Sequence, residues 1–174
     1  KELPETLSVE METTASLIVD TPNLTVSLEG TYTTVEATTA ENTLIVAKNT
    51  VIETLTVKKG NVKIYGTVGE IVNEGTGKII RCIDAQDEVE RTLADTRCDH
   101  ILIEKPAGTL DFGGGTTTKQ VCVEASVTIA NLIVSPEKEH PVMVSGDNVK
   151  LTLDGVKLVC NAAKTLSLIH ISEP

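Results

Sequence analysis

Aromatic residues are nearly absent from this 174-residue chain: it holds no Trp, one Phe (Phe112) and two Tyr (Tyr32 and Tyr65). An interior built from it is therefore aliphatic, made of Val, Ile, Leu and Thr, the residue types that fit stacked strands. Basic character is also missing. Twenty-five acids against 15 bases give a formal net charge of −10, and residues 1–80, with 11 acids and 6 bases, carry half the excess. An evenly acidic surface argues against nucleic acid as a partner, because phosphate neutralisation supplies most of that affinity. No apolar run approaches the length of a membrane span, and neither an initiator Met nor a signal peptide opens the chain. This marks it as mature or cut from something longer. The four cysteines, Cys82, Cys98, Cys122 and Cys160, form no CxxC pair and no zinc spacing. Cys122 and Cys160 read as buried thiols. Cys82 and Cys98 flank a predicted helix, as free thiols or as a disulfide pair.

What is abundant is a ladder of short β-branched segments at steps near twenty residues. Val121-Cys122-Val123 is answered by Val142-Met143-Val144, Val127-Thr128-Ile129 by Val149-Lys150-Leu151, and Leu132 by Leu153. Earlier, Leu24/Val26 is echoed by Leu44/Val46 and Val62/Ile64, and a second series runs through Val35, Leu55-Thr56-Val57 and Ile71. Asn23, Asn42 and Asn61 open three of the early segments at steps of 19, as corner residues tolerant of the left-handed backbone. A fixed period of this length, made of strand-sized pieces, predicts an all-β parallel β-solenoid. One short α-helix is expected near residues 84–95, with Asp84 as its cap, Asp87 and Glu88 in its first turn, and Val89 and Leu93 as a narrow apolar stripe. Its position suits it to cover an open rung. Three regions follow: a solenoid repeat region at 1–80, the helix with further rungs at 81–165, and a tail at 166–174.

Three resemblances attach to these segments. The run from Cys82 to Lys157 contains the predicted helix, Ile101-Leu102-Ile103, Leu110-Asp111-Phe112-Gly113-Gly114, Val127-Thr128-Ile129 and Leu151-Thr152-Leu153-Asp154-Gly155-Val156. It resembles the opening rungs of right-handed parallel β-helices of the pectin-lyase-like class. The stretch Val57-Lys58-Lys59-Gly60-Asn61-Val62-Lys63-Ile64-Tyr65-Gly66-Thr67-Val68 resembles repeats of gut Bacteroidota cell-surface proteins, which implies an extracellular or cell-surface location. The tail Leu166-Ser167-Leu168-Ile169-His170-Ile171-Ser172-Glu173-Pro174 resembles a translated sequencing adapter. A non-native tail is expected there, with no functional weight on His170 or Glu173.

No catalytic constellation emerges from the residues. Polysaccharide-cleaving members of the pectin-lyase-like class use clustered carboxylates, and the acids available here are Asp111, Glu124, Asp147 and Asp154. Asp111-Phe112-Gly113 and Asp154-Gly155 each put an acid before glycine at a strand end, where Asp shapes a turn. Two rungs, on the order of 10 Å, separate that pair, a poor fit to an acid–base couple. Gly113-Gly114-Gly115 lacks the Lys of a phosphate loop and reads as a turn. His100 and His140 read as surface residues, and Asp147-Asn148 lacks an Asp-x-Asp calcium run. The pairs Thr31/Thr33 and Thr54/Thr56 are too few and out of phase for an ice-binding face.

The expected function is a non-catalytic extracellular scaffold or adhesion module, part of a larger bacterial protein, with neither cofactor nor metal. Host or dietary glycans and surface proteins are its expected partners. Two alternatives stand beside it. One is the amino-terminal part of a polysaccharide lyase or glycoside hydrolase whose active site lies on later rungs. The other is a glycan-binding module with Tyr32 or Tyr65 as the stacking platform.

Overall fold

A computed structural model describes residues 6–83, 100–136, 140–159 and 169–172. These residues form strands and turns with no helix among them, and every strand pairing is parallel: the chain is an all-β parallel β-solenoid. The helix expected near residues 84–95 lies outside the described residues. Two compact units divide the chain, Lys1–Ile80 and Arg81–Pro174.

In the first unit, β1 (Thr6–Val19) and β2 (Thr25–Ala37) are long strands. The turns after them split into β3 (Thr43–Val46) with β4 (Val51–Val57), and β5 (Asn61–Ile64) with β6 (Thr67–Asn73). Residues 78–80 of β7 (Lys78–Ile83) end the unit. Strand alternation sends every second side chain inward, and the register stacks these into columns. Val26, Leu44 and Val62 form one column, Leu28, Val46 and Ile64 a second, and Val35, Leu55 and Ile71 a third. All nine are buried. The first step of the ladder is therefore 18 residues, with Leu44 on Val26, and not the 20 that pairs it with Leu24. Between β3 and β4, the buried Thr50 hydroxyl donates to the Leu28 carbonyl of the preceding turn. The Thr50 carbonyl in turn accepts the Thr67 amide of the next turn (2.9 Å). The buried side chain is thus satisfied by the preceding turn, as buried polar groups require.

The second unit has three short strands per turn. β8 (His100–Ile103), β11 (Gln120–Val123), β14 (Val142–Ser145) and β17 (Ile169–Ser172) make one sheet. The second holds β9 (Thr109–Asp111), β12 (Val127–Ala130) and β15 (Leu151–Asp154), and the third β10 (Thr117–Thr118), β13 (Ile133–Val134) and β16 (Lys157–Leu158). One core lies between them, with Ile101, Leu110, Phe112, Val123, Ile129 and Val134 among its members. Val121 stacks on Val142 at the expected step of 21. Val127, however, stacks on Leu151 at a step of 24, and Ile129 on Leu153. The difference arises in the turn Gly146-Asp147-Asn148, where Gly146 (φ 106°) and Asn148 (φ 59°) take left-handed backbone and lengthen the corner. Within the tail, Ile169 and Ile171 pair with Val142 and Val144.

Corners explain where the asparagines sit. Asn23 is left-handed (φ 58°), as are Asn131 and Asn148. Asn42 instead turns its side chain inward and is buried beside Gly60, whose missing side chain leaves room for the amide. Cys82 is buried and Cys122, expected to be buried, is half-buried. Cys98, the other half of the possible disulfide pair, lies outside the described residues. No helix among the described residues is long and apolar enough to cross a membrane.

Candidate functional site

Tyr32, one of the two expected sugar platforms, belongs to the core. It projects inward from β2 in a column with Ile52 and Val68 and is 0% exposed. Its hydroxyl lies 3.1 Å from the carbonyl oxygens of both Val9 and Glu29, which share its one proton. Burial raises the phenol pKa, and the nearby carboxylates of Glu10 and Glu29 raise it further. A ring enclosed on both faces offers nothing for a sugar to stack on, so the expectation for Tyr32 is corrected on burial alone. Tyr65, at the corner between β5 and β6, is half-buried, with its amide bonded to the Val46 carbonyl (2.9 Å). It is the remaining aromatic candidate.

The acids at strand ends serve turns. One Asp111 oxygen accepts the Gly113 amide (2.8 Å) and the Asn131 side-chain amide from the next turn (2.9 Å). The Asn131 bond first, and the Gly113 bond second, lower the Asp111 pKa. Asp154 aligns with Asp111 through Ala130, two rungs away, and its carbonyl accepts the Asn131 amide (2.9 Å). Gly113 (φ 67°) and Gly114 (φ 75°) complete the turn. Asp20 does the same work in the first unit: one carboxylate oxygen accepts from Thr39 (2.7 Å) and Thr38 (3.1 Å), and its pKa is lowered.

His100 is tied laterally. Its Nδ1 donates to Oε1 of Gln120 (3.0 Å), and Gln120 Nε2 donates to the His140 carbonyl (2.8 Å) and toward Met143 Sδ (3.2 Å). One glutamine thus links three successive turns. Among the described residues, no three His, Cys, Asp or Glu side chains gather as metal ligands.

The second unit also carries a feature that no motif announced. Outward from β9, β12 and β15, Thr109, Thr128 and Thr152 stand in one column, paired in register. Beside them run Ala107, Ser126 and Lys150, linked by the bonds Ala107 N–H to Ser126 O (3.1 Å) and Lys150 N–H to Ser126 Oγ (3.0 Å). Together with Gly108 and Val127 they line an open groove of about 300 Å³. No acid is among its lining residues. In sequence these threonines look like ordinary exposed strand positions. Only the register of β12 on β15, with its step of 24, brings Thr152 beside Thr128.

Comparison with protein-family models, with curated proteins and with solved structures finds no match.

Proposed function

We propose that this chain is a non-catalytic extracellular or bacterial cell-surface scaffold, used as an adhesion module within a larger protein. The observation that carries this reading is how the turns are joined. Inward columns are apolar and in register, while side chains at the corners bond to the neighbouring turn, as Thr50 does to Leu28 and Asn131 to Asp111. In such an array each turn is held by its neighbours, and the outer faces of the strands remain available for contact. Asp111, the acid best placed for chemistry by sequence, commits one carboxylate oxygen to turn geometry. The surface location is proposed from the sequence resemblance of residues 57–68 to gut Bacteroidota surface repeats. The partners proposed are host or dietary glycans or surface proteins.

The test is turnover. The purified chain is incubated with a panel of neutral and acidic polysaccharides, and new reducing ends and unsaturated uronate absorbance are followed. The scaffold reading predicts no product above a protein-free control. Product formation proportional to protein concentration would overturn it in favour of a lyase or hydrolase.

A further inference from the structure

We infer that the groove over β9, β12 and β15 binds a linear glycan bearing oxyanion groups, sulfate esters or carboxylates; this deepens the adhesion reading and rests on it. The argument begins with what the register builds. Neighbouring strands lie about 4.8 Å apart, so Thr109, Thr128 and Thr152 present a hydroxyl at each of three successive turns. Gly108 and Ala107 contribute almost no side chain on the same face, which leaves the depression open at that end. A site that crosses three turns fits a polymer segment better than a single small sugar.

The chemistry of the lining then selects the ligand. The chain has 25 acids and 15 bases, yet the groove holds one cation, Lys150, and no carboxylate. Lys150 brings three donors and no acceptor. Ser126 Oγ already accepts the Lys150 amide proton (3.0 Å), so the proton of its own hydroxyl is left to donate. These two groups stand in adjacent turns and both offer donors, the Lys150 ammonium a charged one, which a sulfate ester or a carboxylate complements. The threonine hydroxyls both donate and accept, and so match sugar hydroxyls. The net charge of −10 opposes a polyanion at long range, but that repulsion is screened beyond about 8 Å at physiological salt. The local lysine then decides the sign of the contact. With no aromatic ring in the lining, affinity comes from repeated polar contacts along the polymer and not from stacking.

Affinity electrophoresis of the full chain through gels containing dextran sulfate, alginate or neutral dextran tests this. The expected result is retardation by dextran sulfate, alginate or both, and none by dextran. Which anionic polymer retards the chain identifies the oxyanion. Lys150→Gln should weaken retardation by about fivefold, the upper end for one exposed ion pair. Thr128→Val, which keeps the side-chain shape, should weaken it as well. Both variants should keep the wild-type unfolding midpoint, and Lys150→Gln alone decides the matter should Thr128→Val fold poorly. Passage through both anionic gels without retardation, equal retardation by dextran, or an unchanged Lys150→Gln would overturn the assignment. Turnover of a polymer would instead overturn the scaffold reading while leaving a retarding groove in place.

Discussion

One oxygen of Asp111 receives two hydrogen bonds, one from within its own turn and one from the turn above. Both favour the ionised form, so the folded pKa lies below the ordinary carboxylate value of about 3.9. The sign of the linkage follows. The stabilisation is fully present above the unfolded value and is lost as pH falls through the folded one. A carbon-detected carboxyl titration should place the Asp111 midpoint below that of an Asp in an unstructured peptide, and Asn131→Ala should move it upward. A midpoint at the peptide value that ignores Asn131→Ala would contradict the turn assignment. Asp20, held by Thr39 and Thr38, has the same sign. Glycines make a second residue-scale case. A side chain at Gly66 would press into the carbonyl oxygens of Ala47 and Thr50, whereas one at Gly115 would meet nothing within 4 Å. Gly66→Ala should therefore cost about 1–3 kcal/mol, the range of overpacking. Gly115→Ala should stay within about 0.5 kcal/mol. Urea unfolding of the two variants distinguishes them, and equal midpoints would count against the corner described for Gly66.

At the scale of the strand, alternation fixes the face and leaves the register open. A slip of one residue would turn every inward side chain outward, but a slip of two keeps each on its own face. That is why the inward residues Val127, Ile129, Leu44 and Val62 were legible in the sequence. It is also why partners were misplaced by two in Leu44 on Leu24 and Val127 on Val149, while Val62 on Leu44, Val121 on Val142 and Val35 on Leu55 were placed correctly. The correct partners depend on corner length, which Gly146 and Asn148 set through left-handed backbone that spacing alone does not reveal. The groove was illegible for the same reason, since Thr152 reaches Thr128 only in the correct register. Tyr32 was misread because a phenol at an inward position looks, in sequence, like one at a polar position. The strand scale supplies its own test. Val127 is 4% exposed within the core of the second unit, so Val127→Asp places an unpaired charge there, at a cost of several kcal/mol. Amide exchange in β11, β12 and β14 should lose its protection. Thr109→Asp, at an exposed position on the same sheet, should leave it intact. Retained protection in Val127→Asp would show that this side chain does not face the core.

For the chain as a whole, the scarcity of aromatic residues and the uniform parallel pairing are one fact seen twice. An interior of Val, Ile and Leu in columns needs each turn to stack on the last, and the strands pair at steps of 16 to 27 residues. Each unit then depends on its register more than on any single large side chain. The proposed scaffold role and the proposed glycan groove both rest on that register. The most direct measurement is a set of cross-strand NOEs in the folded chain, from amide and α protons of β11. The account predicts contacts linking Val121 to both Ile101 and Val142, and Val123 to both Ile103 and Val144, in the parallel pattern. An antiparallel pattern, or contacts from Val121 to residues at any other step, would contradict it.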